Sequence, residues 1–411
     1  EGEGRTRTVS YRGMLIKQGV TLIAGGGFHG KSTILNALAV GVFDKAPGDG
    51  RQFVLTAPDA ITLRAEDGRA VRSVDISAFV NSLPKVSGLD PTRFSTDCAS
   101  GSTSMAASVS EALEAGATSL LLDEDTCAAN FMSRDGRMRA LVNHEPITPM
   151  LYRVSGLYNE LGVSSIVVIG GNGDWLDVAD SVVLMDEYMA FDSTKKAASI
   201  SMTFSYGHVQ YAGRGVAHRL PWPDQVLRAR IPDPTSFSLA ADGPGQPRAD
   251  SDGGGGVVRL RYGPTSGPPE VLARASALDL SRLEQLTWAD DDAGLVRGCG
   301  WAMGWIAGYA SGPVGGGAAA DGDAVADEQH SMASLLKAYD STAGEEGVGM
   351  LGERAMHYDI TLPRRVDVAV VLNRLPRTQV VQAEVVEKAA KEEDPNDWWH
   401  QRKKKQKTEG S

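Results

Sequence analysis

The feature that most constrains the fold of this chain is an octapeptide near its start, Gly25-Gly26-Gly27-Phe28-His29-Gly30-Lys31-Ser32. It fits G-x-x-x-x-G-K-[ST], the pattern of a phosphate-binding loop between a strand and a helix. The apolar run Val20–Ala24 before it indicates a buried strand, and Thr33–Leu38 after it indicates the start of a helix. The sequence therefore predicts an α/β fold with an anion site at this strand end; the alternative is an ordinary glycine-rich turn.

The residue types in this loop suit the phosphates of a nucleotide. Glycines let backbone N–H groups curl round a phosphate, and the helix N-terminus adds the positive end of its dipole. Lys31 is expected to reach the β- and γ-phosphates and to act in catalysis, and Ser32 is expected to bind Mg²⁺. The predicted ATP-binding residues of this segment are Gly25, Gly26, Gly27, Phe28, His29, Gly30, Lys31, Ser32 and Thr33.

Composition limits the class of protein. With 411 residues, of which 42% are hydrophobic, the chain is long enough for two or three domains. A net charge of −11 argues against a globally basic nucleic-acid binder. The three cysteines lack metal-ligand spacing, which favours a reducing compartment, and no apolar run reaches transmembrane length. Because the chain opens with Glu1, we expect it to be a fragment of a longer protein.

Strands and helices alternate over residues 1–205, as in a parallel α/β sheet. A smaller α/β domain with glycine- and proline-rich loops is predicted over 206–381, followed by a charged helix and basic tail over 382–411. The predicted strands are Thr21–Ala24, Gln52–Thr56, Ser119–Leu122, Ser165–Ile169, Ser181–Met185 and Val257–Tyr262. The predicted helices are Ser32–Val42, Ser104–Ala115, Pro149–Leu161 and Ser281–Thr287, with further elements at Ser331–Ala338 and Arg364–Leu372.

A second half of the site is predicted at Asp123 and Glu124, which follow the apolar run Ser119–Leu122. Asp123 suits the binding of Mg²⁺ through water, and Glu124 can orient and polarise the water that attacks the γ-phosphate. An acidic pair after a strand is a weak signal alone, but it is a strong one after a phosphate-binding loop. The alternative is two solvated carboxylates at a strand end.

The segment Ala99–Thr103 lies just before a predicted helix and offers small residues and free N–H groups, so it can cradle a second anion. Ser100 precedes Asp123 by the interval that separates the signature sequence from the acidic strand end in ABC-type ATPases. In that class the signature motif contacts the γ-phosphate held by the other protomer. Ser100, Gly101 and Ser102 are therefore predicted to complete the site of a homodimer, and an N-cap at Ser102 or Thr103 is compatible with this role.

Taken together, the motifs at Gly25–Ser32, Ala99–Thr103 and Asp123–Glu124 resemble those of the predicted ATPases of the ABC class, a family separate from the transporters. The resemblance is dense over residues 12–205 and returns at 363–365 and 372–375. It implies an ABC-type P-loop ATPase core that uses ATP and Mg²⁺. A narrower resemblance is to an RNA-editing accessory ATPase of kinetoplastid mitochondria. That resemblance implies single-stranded RNA and a larger RNA-processing complex as partners, and a location in the mitochondrial matrix. No membrane partner is expected, because no apolar run reaches transmembrane length.

Two positions depart from the pattern of transporter-type ABC domains. Those domains place a proline after the catalytic glutamate, where this chain has Asp125. They also carry a switch histidine after a strand at whose end this chain has Gly170 and Gly171. Without that imidazole the γ-phosphate loses a contact, so we expect hydrolysis to be slow. Tyr11 is a candidate for stacking on the adenine.

RNA contacts are predicted where basic residues lie together or beside aromatic ones. Arg259 and Arg261 alternate on a predicted strand and could line a basic groove. Arg364, Arg365, Arg374 and Arg377 form another basic cluster, for which the alternative is the charged ends of a packed helix. A solubility tail or an import signal is the alternative for the C-terminal tail. The basic and aromatic residues of that tail are Trp398, Trp399, His400, Arg402, Lys403, Lys404, Lys405 and Lys407.

Several functions stay open from the sequence. The first is an ATP-gated RNA-binding remodeller, and the second is a nucleotide-dependent protein-assembly switch without nucleic acid. A small-molecule kinase is disfavoured, because a kinase has no use for Ser100 and Gly101 at that spacing. The ATP-binding subunit of a transporter is weakened as an alternative by the missing switch histidine and the large C-terminal unit.

Overall fold

The protein is described by a computed structural model over residues 13–43, 45, 47–81, 88–142, 144–203, 220, 222–223, 230–232, 238–240, 257–261, 270–273, 276–278, 293–311, 331–351, 361–374 and 380–382. For the strands between residues 238 and 278, only the pairing of the backbone is described. The strands in these ranges are β1 (Val20–Gly25), β2 (Ala60–Leu63), β3 (Val71–Val74), β4 (Phe94–Thr96), β5 (Ser119–Asp123), β6 (Ser164–Ile169), β7 (Ser181–Asp186), β8 (Met189–Asp192), β9 (Arg230–Pro232), β10 (Ser238–Ala240), β11 (Val257–Arg261), β12 (Glu270–Ala273), β13 (Ser276–Leu278) and β14 (Val380–Gln382).

Helices flank these strands on both faces of the main sheet. The α-helices of the described ranges are α1 (Lys31–Val40), α2 (Gly101–Glu114), α3 (Ala129–Met132), α4 (Gly136–Leu141), α5 (Met150–Leu161), α6 (Thr194–Thr203), α7 (Ala293–Ser311), α8 (Met332–Glu346) and α9 (Arg365–Arg374). Short 3₁₀ turns include Glu124–Thr126 and Gly173–Asp177. Among these helices, none combines the length and apolar character needed to cross a membrane.

A six-stranded sheet of order β2-β5-β6-β1-β7-β8 forms the centre of the fold. Its strands run parallel except for β8, which pairs antiparallel with β7 in a hairpin. The α/β fold class predicted from the sequence is confirmed. Because β1 and β5 are parallel members of one sheet, their carboxyl ends reach the same edge, where Gly25 and Asp123 lie.

Alternation along the central strands sends side chains to opposite faces of the sheet, and each face has its own core. Leu22 and Leu122 belong to a large core, whereas Ile23 and Leu121 belong to a smaller one. Leu35 of α1 is part of the smaller core, which places α1 on that face. The first turn of α1 is thereby fixed at the sheet edge that carries the candidate site.

One predicted strand is wrong. Gln52–Thr56 forms no strand; Phe53 is 88% exposed and Leu55 is 76% exposed. The place beside β5 is taken by β2, whose four residues are all buried and pair from Ala60↔Ser119 to Leu63↔Leu122. Ala60–Leu63 rather than Gln52–Thr56 forms the strand beside β5, because all four of its side chains are buried there.

The C-terminal helices share the larger core with the sheet. Leu335 of α8 and Val371 of α9 belong to the same cluster of buried side chains as Leu122 of β5. The hydroxyl of Tyr339 donates to the carbonyl of Pro363 at 3.0 Å, which joins α8 to the segment before α9. The division of the chain at residues 205 and 381 stays a prediction, and Ser281–Thr287 lies outside the described residues.

We expect Gly298→Ala to lower the free energy of unfolding by about 1–3 kcal/mol, the usual range for overpacking a core. A Cβ at Gly298 would stand 2.0 Å from the carbonyl oxygen of Thr361 and 2.9 Å from Cδ of Pro363. Helix α7 or the segment at Thr361 would have to move. Urea unfolding followed by circular dichroism measures the change.

Gly344→Ala is the matched control for this prediction. Gly344 lies in α8 with nothing within 4 Å of the added Cβ, so the helix propensity of alanine raises stability by up to about 1 kcal/mol. A loss of stability in both variants would mean that the close approach at Thr361 is not the cause.

Candidate functional site

The loop between β1 and α1 is shaped by close approaches that need glycine at both ends. Gly25 has φ +152°, and a Cβ there would stand 2.4 Å from the carbonyl oxygen of Met185 on the neighbouring strand β7. Gly30 has φ +89°, and its Cβ would stand 2.9 Å from the ring of Tyr188. L side chains rarely adopt these angles. Both positions therefore require glycine if the loop is to curl in this way.

The N-terminus of α1 opens directly onto this loop. Gly30 is the N-cap in a left-handed conformation; no side chain caps the helix, and its first turn holds no acidic residue. Unpaired N–H groups and the positive dipole end therefore face the loop. Lys31 Nζ donates to the carbonyl of Gly26 at 2.6 Å, so its ammonium lies against the same loop. Together these groups can bind a polyanion.

The phosphate loop and the acidic strand end are joined by one hydrogen bond. Ser32 Oγ donates to Asp123 Oδ2 at 2.7 Å, across 91 positions of sequence. Asp123 is buried at the end of β5, and its other carboxylate oxygen accepts the backbone N–H of Asp125 at 3.1 Å. The structure thus brings together the two halves that the sequence assigned to one site.

The donor set of Ser32 and Asp123 fits Mg²⁺. Both groups are oxygen donors, which hard cations prefer, and Mg²⁺ in nucleotide sites commonly uses one or two protein ligands with phosphates and water. Within the described part of the chain, no group of three or more His, Cys, Asp or Glu side chains could hold a metal alone. The two oxygen donors therefore suit a Mg²⁺ ion whose other ligands are phosphate oxygens and water.

Glu124 is held by backbone groups that the sequence did not predict as partners. Its Oε2 accepts the N–H of Gly170 at 2.7 Å and of Gly171 at 2.9 Å. The register Asp123↔Val168 between β5 and β6 places the two segments side by side. In the sequence, the pair of glycines after β6 indicates only that the switch histidine of transporter-type domains is missing; it does not show that their N–H groups face Glu124.

Cys127 follows the acidic turn but is not a reactive thiolate. Burial raises the pKa of its thiol to about 12, with Asp123 and Arg64 as smaller electrostatic influences. The thiol lies 3.7 Å from the carbonyl oxygen of Leu63, at the end of β2. Arg64, the next residue, adds positive charge beside the acidic turn, a contribution that the sequence reading missed.

Aromatic and imidazole groups border the loop. The ring of His29 lies against Gly26, and its Nδ1 accepts the N–H of Glu187 at 3.0 Å in the β7–β8 turn. Phe28 is 97% exposed with φ +61°. Tyr188, in the same turn as Glu187, is 70% exposed with φ +65°. The hydrogen bond between Glu187 and His29 links the phosphate loop to the turn of the β7–β8 hairpin.

The predicted signature segment begins α2. Ser100 is exposed and is the N-cap; its Oγ accepts the N–H of Thr103 at 3.4 Å. Gly101 is buried, and a Cβ there would stand 3.1 Å from Asp67 Oδ1. Ser102 is also buried, with Asn130 Nδ2 at 3.5 Å from its hydroxyl. The N-cap is thus Ser100 rather than the predicted Ser102 or Thr103.

The basic residues that the sequence suggests as RNA contacts lie in several different places. Arg364 forms an ion pair with Asp367 at 2.7 Å, and Arg374 is buried against Glu66, so these two follow the packed-helix alternative. Arg259 and Arg261 lie on β11, whose backbone pairs with β10 and β12. Arg365 pairs with Asp340 at 3.3 Å. Outside the described residues lie Tyr11, Arg377 and the tail with Arg402, Lys403, Lys404 and Lys405.

Comparison with known proteins shows the family of this chain. The family model of the ABC_ATPase P-loop domain matches residues 5–219, more than half of the chain. An uncharacterized protein of Methanocaldococcus jannaschii is 26% identical over 176 residues, which are 42% of this chain and only 38% of that relative's length. The structure of cbiO1 from Clostridium perfringens, part of the ABC transporter complex cbiONQ, aligns at 17% identity and TM-score 0.32, covering 47% of this chain and 87% of that one. This chain belongs to the ABC_ATPase P-loop domain family.

Proposed function

We propose that this chain binds ATP with Mg²⁺ and slowly hydrolyses it to ADP and phosphate. The observation that carries the proposal is the 2.7 Å hydrogen bond from Ser32 to Asp123. It joins an anion-binding loop to the acidic strand end at which Glu124 follows. Membership of the ABC_ATPase family supports the same reading.

In the proposed reaction each side chain has one task. A water oxygen attacks the γ-phosphorus in line while the bond to the β–γ bridging oxygen breaks, and that oxygen leaves with ADP. The proton of the water passes to the carboxylate of Glu124. Lys31 balances negative charge on the β- and γ-phosphate oxygens. Mg²⁺, held by Ser32 and Asp123, would neutralise charge that develops on the same oxygens.

We also propose that the site is completed by a second copy of the chain. The exposed Ser100 and the start of α2 offer a hydroxyl and a helix N-terminus to an anion. Within the described residues, no hydrogen bond or ion pair links Ser100, Gly101 or Ser102 to the loop of the same chain. This supports contact with the nucleotide of a partner in a homodimer.

Lys31→Ala tests the nucleotide site. We expect the Kd for ATP to rise roughly tenfold or more, because a charge-assisted hydrogen bond to phosphate contributes about 1.5–3 kcal/mol. Isothermal titration calorimetry with ATP and Mg²⁺ measures it. Lys17→Ala removes an exposed lysine that lies before the opposite end of β1, and it should leave the Kd unchanged. Equal ATP affinities in the native chain and Lys31→Ala would refute the assignment.

As the partner on which ATP-driven closing acts, we propose single-stranded RNA; a protein-assembly switch is the alternative. The support is the basic and aromatic tail and the resemblance to a mitochondrial RNA-editing ATPase, both from sequence. RNA affinity at two salt concentrations, for the chain with and without residues 398–411, tests this. A steep salt dependence that the truncation weakens favours RNA. No affinity at low salt, with ATP still bound, favours the assembly switch.

A further inference from the structure

We propose that the backbone N–H groups of Gly170 and Gly171 position the carboxylate of Glu124 for its task as general base. This inference rests on the proposed ATP hydrolysis and adds to it the part of the chain that orients the base. Gly170 and Gly171 act through Glu124, so they are positioning residues rather than catalytic ones.

The geometry divides the carboxylate into two unequal oxygens. Both glycine N–H groups donate to Oε2, at 2.7 and 2.9 Å. Oε1 receives no hydrogen bond from the residues that the structure describes. Hydrogen bonds from N–H groups to a carboxylate are charge-assisted and short. One oxygen is thus anchored to the backbone, and the other is left to accept a proton from water.

The two N–H groups belong to a braced segment. Asn172 follows them; its Nδ2 donates to Ser133 Oγ, and its Oδ1 accepts the N–H of Asp174 at 2.9 Å. Trp175, in the 3₁₀ turn that begins at Gly173, is fully buried. On the other side, the strand β6 ends at Ile169 inside the central sheet. A carboxylate bonded to this segment keeps one orientation, and a general base needs that orientation for in-line attack.

Space does not explain why glycine occupies these positions, which makes a discriminating test available. A Cβ on Gly170 would stand 3.9 Å from Glu124 Oε2, and one on Gly171 would stand 3.8 Å from Oε1; both are ordinary contacts. Alanine therefore fits and keeps the N–H donor. Proline removes the donor.

The first experiment compares Gly170→Pro and Gly171→Pro with Gly170→Ala and Gly171→Ala. We expect each proline variant to lower kcat for ATP hydrolysis by roughly 10- to 100-fold, the effect of a base displaced by about 1 Å. The Kd for ATP should stay within about twofold, because the phosphate loop is untouched. The alanine variants keep the N–H donor, so their kcat should stay near that of the native chain. Equal losses in alanine and proline variants, or full activity in the proline variants, would overturn the proposal.

A second measurement needs no turnover, and it covers a proline variant that fails to fold. Amide hydrogen exchange at Gly170 and Gly171 is measured by mass spectrometry in the native chain and in Glu124→Ala. We expect exchange there to be roughly tenfold faster or more in Glu124→Ala, since each N–H loses its acceptor. In Asp125→Ala it should be unchanged, because the Asp125 side chain is not an acceptor of these bonds. Unchanged exchange in Glu124→Ala would overturn the proposal.

The two experiments separate this inference from the proposed function. A native chain that binds ATP but releases no phosphate would refute hydrolysis, and with it the role of Glu124 as base. The exchange result would still show whether the glycine N–H groups hold the carboxylate. Conversely, ATP hydrolysis by the native chain, together with unchanged amide exchange at Gly170 and Gly171 in Glu124→Ala, would leave the proposed hydrolysis standing and remove the positioning role of the two glycines.

Discussion

Glu124→Gln is expected to lower the rate of ATP hydrolysis by roughly 100- to 10 000-fold, the range that general base catalysis contributes. The amide of glutamine has the shape of the carboxylate but cannot take the proton of the attacking water. Its carbonyl oxygen can still accept the N–H groups of Gly170 and Gly171. The loss should therefore appear in kcat, while the Kd for ATP stays within about twofold.

Phosphate release under saturating ATP and Mg²⁺ measures the effect. Asp125→Asn supplies the sharpest comparison, because Asp125 is the neighbouring carboxylate on the same 3₁₀ turn and is exposed. If Asp125→Asn abolished turnover while Glu124→Gln kept it, the base would be assigned to the wrong side chain. In the proposed homodimer, Glu124→Gln should also accumulate an ATP-bound dimer, which light scattering coupled to size exclusion detects.

Arg374→Met is expected to lower the free energy of unfolding by about 3–5 kcal/mol, the usual loss when one partner of a buried ion pair is removed. Arg374 Nε lies 2.9 Å from Glu66 Oε2, and its guanidinium is also 3.7 Å from Glu111. The side chains of Arg374, Glu66 and Glu111 are 4, 10 and 5% exposed. Methionine fills much of the same volume but leaves both carboxylates without this cation.

The charges around Arg374 are strongly coupled. Burial opposes its positive charge, but the carboxylates of Glu66 and Glu111 outweigh burial and hold the pKa of Arg374 above its usual value. Arg69 donates to Glu111 Oε2 at 2.9 Å and so shares this carboxylate. Because Glu111 lies on α2, which begins at the signature segment, the network ties that helix to α9.

Arg365→Met is the matched control on the same helix. Arg365 pairs with Asp340 at 3.3 Å, and their side chains are 24 and 54% exposed. Exposed pairs contribute about 0–1 kcal/mol, so this variant should lose much less stability. Urea unfolding followed by circular dichroism compares the two. Equal losses would mean that the buried network contributes no more than a surface pair.

The phosphate loop was predictable because its parts are consecutive in the chain. The strand, the Gly25–Ser32 loop and the helix that begins at Lys31 follow one another, so local pattern and glycine chemistry were sufficient. The acidic pair Asp123 and Glu124 was also predictable, since it follows an apolar strand. The sequence therefore determined the α/β class and the residues that meet at the loop.

Segments that compete for one place in the sheet were harder to assign. Two short segments rich in apolar residues could occupy the position beside β5: Gln52–Thr56 and Ala60–Leu63. Only the second pairs with β5. Which of them wins depends on how completely each buries its side chains in the assembled core. A single sequence does not contain that comparison in any local pattern.

Long-range polar contacts were decided by the tertiary structure alone. Glu124 meets Gly170 and Gly171 across 46 and 47 positions, and Arg374 meets Glu66 across 308. The sequence shows that these groups exist. For Arg374 it allows two roles, an RNA contact or a charged residue of a packed helix. Buried charges and backbone donors must find partners, but which partner each one finds depends on the packing that brings distant segments together.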